Sequence, residues 1–492
     1  MVFSNNLLMG AAGQATGYEI EQSIRFDNVN GVDASGAQMF RLALTGTPTN
    51  TKKATISAWV KRATLGFNQT IAYAGDPNGS TTESIRFDTA DTLSFQQASS
   101  DYVLTTTQVF RDIGAWYHIV AEIDTANGTS ADRANLYVNG TKVTSFSTEN
   151  YPTQDYVTNW TASSSSIAHT WGTNGIPSAG PSSQLFAGYM AEMFVLDGEK
   201  AGASSFGETN NDGVWVPIKY SGSFGNNGYY MTGETASALG DDFSGNSLDF
   251  TTVALATTDQ MLDTPTLNKA TLNVLNLHST GSVLSDGNLT VTNSGTSGFW
   301  HRSYATQALS YKTYWEVHAD NLGSLNMGVS SLGNVPGGVN NPAGNKAAGI
   351  QNNEAFVTGS YANESSGGRT FPISTGDYVM LAFDPARGAL WMGTEGTWKD
   401  GTASSASSST ILAEIEGSGT SYAIFTGIDA DDAIPMIAQY STSVATSRFS
   451  SGDWEGTAPT GYEELSTAFI ATPTISDGSK YFQTTLYTGT GS

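Results

Sequence analysis

The first chemistry this chain offers is a pair of acids two apart on one strand. Glu122 and Asp124 close the run Trp116-Tyr117-His118-Ile119-Val120-Ala121-Glu122-Ile123-Asp124. Tyr117, Ile119, Ala121 and Ile123 alternate there with Trp116, His118, Val120 and Glu122, the period of a strand. Residues i, i+2 and i+4 share a strand face. A third acid at position 126 would therefore complete a carboxylate pair of the kind retaining glycosidases hold about 5–5.5 Å apart. Position 126 is alanine and 127 is asparagine, so no catalytic residue is assigned. His118 shares the face and reads as a hydrogen-bonded structural residue. The five histidines are scattered, with no His-Glu-x-x-His, and neither a Gly-x-Ser-x-Gly elbow nor a phosphate-binding loop occurs. The chain is expected not to be an enzyme and to carry no cofactor.

Two other constellations bear on binding. Asp429, Asp431 and Asp432 cluster, but calcium takes six to eight oxygens, and three carboxylates read as a solvated turn, so no metal site is assigned. Sugar binding uses an aromatic platform with polar groups beside it. Trp59, Trp116, Trp315 and Trp391 lie within strand patterns and are expected in cores. Trp160 and Trp171 flank the loop-rich stretch 158–183, and Tyr361 lies among Gly, Ser and Asn. These three are the candidate ligand-binding residues.

The elements that must position such groups are strands. With 492 residues, 54 glycines and only 13% charged residues, the composition favours an all-β protein rich in turns, of two to four domains. No sustained 3.6-residue apolar stripe and no fixed-period repeat is present. A net charge of −24 argues against nucleic acid and anionic membranes. No run approaches the roughly 18 apolar residues of a membrane span, so no membrane insertion is expected. The absence of cysteine removes disulfides and thiolate sites. No Lys or Arg precedes Arg25, so the start reads as lacking a secretory signal.

Along the chain, residues 1–22 read as a short arm and possible anchor, and 23–197 as a first β-sandwich. Within it Asn139-Gly140 separates two alternating runs and predicts a type I′ hairpin with Leu136 facing Val143. Residues 198–275 read as an ordered connector, and 276–465 as a second sandwich built around the hairpin of 376–384 and 389–393. Residues 466–492 form a C-terminal segment.

Trp116–Asp124 and Leu136–Val143 resemble the signature strands of the laminin-G-like, concanavalin-A-like β-sandwich. The second unit resembles a SPRY domain, through Tyr314-Trp315-Glu316-Val317, Gly376-Asp377-Tyr378-Val379, Phe383-Asp384, Gly396-Thr397-Trp398 and Pro459-Thr460-Gly461-Tyr462. The whole series, including Asn5–Gly10, Gly17–Phe26, Trp59–Arg62, Gly188–Glu192, Phe206–Glu208, Val214–Pro217, Asp242–Asn246 and Asp263–Thr266, is similar to structural proteins of tailed bacteriophages that join these two modules. That resemblance implies two concanavalin-A-like antiparallel sandwiches in a virion component, made in the host cytoplasm. A tail fibre or appendage with lectin-like attachment to host-surface glycan is the favoured role. Other virion proteins would be held through the N-terminal arm, and a homo-oligomer, as a trimer, is implied. A capsid decoration or head-fibre protein is the alternative, followed by a polysaccharide depolymerase. Asp477–Phe482 and Leu486–Gly489 are similar to a stretch that commonly leads into a further module.

Overall fold

A computed structural model of the chain describes residues 17–28, 38–76, 82–98, 101–164, 167–175, 184–277, 281–294, 300–331, 347–351, 354–358, 372–400, 405–429, 433–440 and 442–470. Among these residues the elements are antiparallel strands, short 3₁₀ turns and one α-helix, Ser408–Glu416.

Two sheets form the first sandwich. One runs edge to edge through Thr141–Lys142, Ala134–Val138, Trp116–Asp124, Lys53–Arg62, Gly188–Asp197, Ser23–Phe26 and Gln260–Met261, with Tyr229–Met231 paired to the far half of Gly188–Asp197. The facing sheet runs Phe146–Asn150, Val103–Val109, Thr92–Gln97, Thr82–Phe87, Gln69–Gly75, Ala168–Trp171, Met39–Leu42 and Thr251–Val253. Period-2 alternation sends Ile119, Ala121 and Ile123 into the core between them, against Ile71, Ile85, Phe95 and Leu104. The Asn139-Gly140 turn has both residues at positive φ, 46° and 75°, and Val143 N–H donates to Leu136 O at 2.8 Å, as the type I′ expectation requires. Gly140 is needed twice over, because a Cβ there would stand 2.3 Å from the Trp215 ring.

Most of the stretch 198–275, expected to be a connector, belongs to the first sandwich, while Ala270 and Leu272 at its end enter the core of the second. It supplies Tyr229–Met231, Thr251–Val253 and Gln260–Met261 to the two sheets. Its remaining residues cover the outer face of the first sheet, where Trp59, Trp116, Val120, Phe194 and Leu196 meet Phe206, Trp215, Tyr220 and Met261. The reason is that the first sheet is apolar on both faces, and burial of those outer rings needs a cover. The N-terminal arm joins the cover through Ile20, whose N–H donates to Thr266 Oγ1 at 3.0 Å. Residues 1–16 lie outside the described residues.

The second sandwich faces the sheet Ser282–Ser285, Thr290–Asn293, Ser443–Arg448, Thr313–Asn321, Tyr378–Asp384, Ala389–Thr394 and Thr397–Trp398 against His301–Tyr304, Ala433–Gln439, Leu325–Ser331, Ala347–Gln351 and Glu354–Thr358. Trp315, Val317, Leu381 and Met392 fill the core with Met327, Val329 and Ile437. Tyr314, Met380 and Trp391 point outward and are capped by Ile411 and Ile415 of the helix.

The sandwiches meet around a buried ammonium. Lys61, 0% exposed, donates to Asp263 Oδ2 at 2.7 Å, Asn268 Oδ1 at 2.8 Å and the Lys269 carbonyl at 2.8 Å, using all three of its protons. Asp263 also accepts Trp116 Nε1–H at 3.0 Å and Lys269 N–H at 3.1 Å. Beyond it Lys269 is paired with Glu464, and Ala270 N–H donates to Leu465 O at 2.9 Å. Thus Ser466–Ile470 of the C-terminal segment packs at the junction, whereas 471–492 lie outside the described residues. A loop from the second sandwich completes the contact. Gly287, at φ +62°, brings its carbonyl 2.8 Å from the Tyr189 hydroxyl, and a Cβ there would stand 2.3 Å from that oxygen. Asn288 Nδ2–H donates to Ala63 O at 2.7 Å.

Truncating the ammonium should leave Asp263 buried without its counter-charge. Lys61→Met is expected to lose about 3–5 kcal/mol of stability, the cost of breaking a buried pair from one side, read as a lower denaturant midpoint.

Candidate functional site

The strand Gly188–Asp197 is buried along its whole length, yet it contains a glutamate. Opposite it Ala191 pairs with Trp59 and Phe194 with Ser57, so Glu192 and Met193 together face one residue, Ala58. This is a β-bulge, and Glu192 takes φ 53° within it. A left-handed non-glycine residue costs roughly 1–2 kcal/mol. The bulge keeps Met193 in the core and releases the Glu192 carboxylate toward the outer face.

Two phenols receive it. Tyr230 Oη–H donates to Oε1 at 2.7 Å and Tyr18 Oη–H to Oε2 at 3.0 Å, the two hydroxyls lying 3.2 Å apart. Burial pushes the Glu192 carboxyl up to about 7, against the downward pull of the two phenol bonds and of Lys219. Burial and then the Glu192 charge push both phenols well above their ordinary range.

Each partner is fixed by a sequence motif. Tyr18 is held because Thr266 Oγ1 clasps both backbone groups of Ile20. Tyr230 stacks on Phe194 at 4.1 Å, and its N–H donates to Asp242 Oδ1 at 2.9 Å. Asp242 also accepts Ser244 N–H, Ser244 Oγ–H and Leu248 N–H, which folds the 242–248 turn and presents Phe243, 41% exposed, at 6.5 Å from the Tyr230 ring. The result is an open cleft of about 340 Å³ with Glu192 among its lining, Tyr18, Tyr230 and Phe243 as aromatic members, and Lys219 and Thr232 beside them. Rings with adjacent hydroxyl, carboxyl and ammonium groups can take the apolar face of a polyol and bond its hydroxyls.

A smaller cleft of about 130 Å³ at the junction is lined by Asp27, Asn28, Thr64 and Val283. Its polar groups already serve the fold: Asp27 accepts Asp286 N–H at 2.7 Å, and Asn28 donates to Phe186 O at 2.7 Å.

The residues singled out from sequence lie elsewhere. Trp160 and Trp171, candidate ligand-binding residues on sequence, are both 0% exposed within the core of the first sandwich. The polar loop composition around them hid two ring-filling core positions, and a ring with no free face cannot stack on a ligand. Tyr361 lies outside the described residues, as do Asp431 and Asp432. His118 stacks on Trp59 at 4.7 Å, accepts Trp215 Nε1–H on Nδ1 at 3.0 Å and so donates from Nε2 to Ser57 Oγ at 2.9 Å. Burial pushes it down to about 3, so it is a neutral structural residue. Glu122 accepts from Asn135 at 3.1 Å and Tyr137 at 3.3 Å, while Asp124 pairs with Lys53 at 3.6 Å. Among the described residues no group of three or more His, Cys, Asp or Glu is placed to hold a metal ion.

Sequence reasoning missed Tyr18, Glu192, Tyr230 and Phe243. One signal was present: an ionisable Glu192 inside the continuous apolar run Tyr189–Leu196 needs a partner once buried.

Residues 36–200 match the Laminin_G_3 family model, described as the concanavalin A-like lectin/glucanases superfamily. No curated protein matches the chain. Among solved structures, the heptameric SAP-like pentraxin of Limulus polyphemus is 16% identical over 38% of this chain and 80% of its own, with a TM-score of 0.29. The SPRY domain of human HERC1 is 13% identical over 36% of this chain and 96% of its own, with a TM-score of 0.26. Domains LG4-5 of the mouse laminin alpha1 chain are 9% identical over 88% and 89%, with a TM-score of 0.28. These likenesses are distant and carry no functional inference.

Two measurements check this assignment. Trp160→Ala should destabilise the first sandwich by about 3–5 kcal/mol, so any binding it abolishes will be lost together with the folded near-ultraviolet circular dichroism signal. The second concerns pH. Glu83, fully buried beside Thr158 and Asn159, is likewise pushed up to about 7 by burial. With Glu192 it holds protons in the folded chain that the unfolded chain releases near 4.5. The stability this contributes is complete below about 4.5 and is lost as pH rises through 7. The thermal midpoint should be lower at pH 8.5 than at pH 5, with a smaller difference in Glu83→Gln.

Proposed function

We propose that this chain is a non-enzymatic glycan-binding protein and that a sugar occupies the cleft around Glu192. The observation that carries this reading is the convergence of Tyr18, Tyr230 and Phe243 on a buried carboxyl within one concave site. A concanavalin A-like family match over residues 36–200 supports it. The non-enzymatic part rests on Glu122 being engaged by Asn135 and Tyr137, with no acid at position 126 to act beside it.

At the level of the organism, the proposed role is a tail fibre or appendage of a tailed bacteriophage that attaches to host-surface glycan. Its support is the sequence resemblance described above, which covers nearly the full length of the chain. Immunogold labelling of intact particles tests the placement: gold at the tail fits an appendage, and gold over the head replaces it with a capsid decoration protein.

The cleft has its own test. Phe243→Ala removes an exposed ring and should weaken glycan binding about tenfold, a loss of ~1.4 kcal/mol, in isothermal titration, with the unfolding midpoint unchanged. Equal affinity of Phe243→Ala and the parent chain would remove the cleft as the binding site.

A further inference from the structure

The same cleft contains a charge pattern that selects among sugars. Besides the buried Glu192, its lining includes Glu19, Glu21 and Glu234, all exposed, against a single ammonium, Lys219. Lys219 is itself exposed, so one ammonium stands against three exposed carboxylates in the lining of the cleft. Three exposed glutamates remain around an opening walled by aromatic rings. The whole chain adds to this field with its net charge of −24. Phe243 lines the same cleft as these carboxylates, and charges act on one another over a Debye length of about 8 Å at physiological salt.

Resting on the glycan-binding reading, we infer that the cleft takes saccharides bearing a free amine in preference to neutral ones and rejects those carrying carboxylate, sulfate or phosphate. The rings supply contact that does not depend on charge, and the glutamates supply the discrimination. An ammonium gains from every rim carboxylate, a neutral sugar gains only stacking and hydroxyl bonds, and an anion is repelled by the same groups. Discrimination by repulsion is as effective as discrimination by attraction.

The test uses the full chain on an array printed with amine-bearing, neutral and acidic glycans. It is followed by titration with three β-1,4-linked tetrasaccharides: glucosamine, N-acetylglucosamine and carboxylated cello-oligosaccharide. The expected order is amine over neutral by about tenfold at low salt, with the acidic member weakest. The preference should shrink to about twofold at 0.5 M NaCl, where screening falls within about 4–5 Å. Glu21→Gln/Glu234→Gln, both at exposed positions, should narrow the ratio of amine to neutral affinity to about threefold at low salt, with the unfolding midpoint in place. Acidic glycans bound as well as or better than amine-bearing ones would overturn the charge inference and leave glycan binding standing. An amine preference untouched by the double substitution would place the selection outside this cleft. Silence across the whole array and all three titrations would remove the glycan reading itself, and this inference with it.

Discussion

The ammonium of Lys61 is the constraint on which the two-sandwich arrangement depends. An isolated buried charge costs several kcal/mol of lost hydration, and this one is tolerated because Asp263, Asn268 and the Lys269 carbonyl replace its water completely. Those partners all come from 263–269, so satisfying one strand residue fixes where that segment lies. The segment then carries its own consequences. Asp263 orients Trp116, Thr266 clasps the N-terminal arm, and Lys269 turns to Glu464. A polar network of this kind specifies geometry more than it adds stability, because each member has one arrangement that leaves nothing unpaired.

The cleft follows from the same demand applied to apolar surface. A sheet with Trp59, Phe194 and Leu196 on its outer face cannot remain bare, so 198–275 and the arm fold over it. The cover is assembled from separate pieces, and the bulge at Glu192 lies where they meet. A carboxyl released into that seam finds phenols from two distant parts of the sequence, Tyr18 and Tyr230, separated from each other by 212 positions. Concavity, rings and a perturbed acid therefore arise together from one packing problem, and each of them marks a site capable of binding.

Much of the architecture was legible because strand alternation and turn chemistry are local. The run 116–124, the Asn139-Gly140 hairpin and the strands 378–384 and 389–394 read correctly from neighbouring residues alone. The role of 198–275 was illegible for the opposite reason. The strands it adds to the two large sheets are two or three residues long, and their partners lie far away in the sequence. The candidate sugar residues failed on burial. Trp160 and Trp171 have the composition of loops around them, and whether a ring at such a position turns inward depends on tertiary contacts with residues such as Phe95, 6.5 Å from Trp160. Conversely, Glu192 was visible as a charge in an apolar run, but nothing local says that Tyr18 and Tyr230 answer it.

The placement of the strand Ser23–Phe26 also sets a schedule for synthesis. It lies between Gly188–Asp197 and Gln260–Met261, and Ser23 Oγ–H bonds the carbonyl of Asp263, 240 positions later. A ribosome adds about 5–20 residues per second, so this early strand waits roughly 10–50 s for the neighbour that closes its outer edge. During that interval the nascent sheet shows an open edge and uncovered rings, the features that draw strands into wrong pairings. The first sandwich is thus complete only after the segment that also begins the second sandwich has emerged.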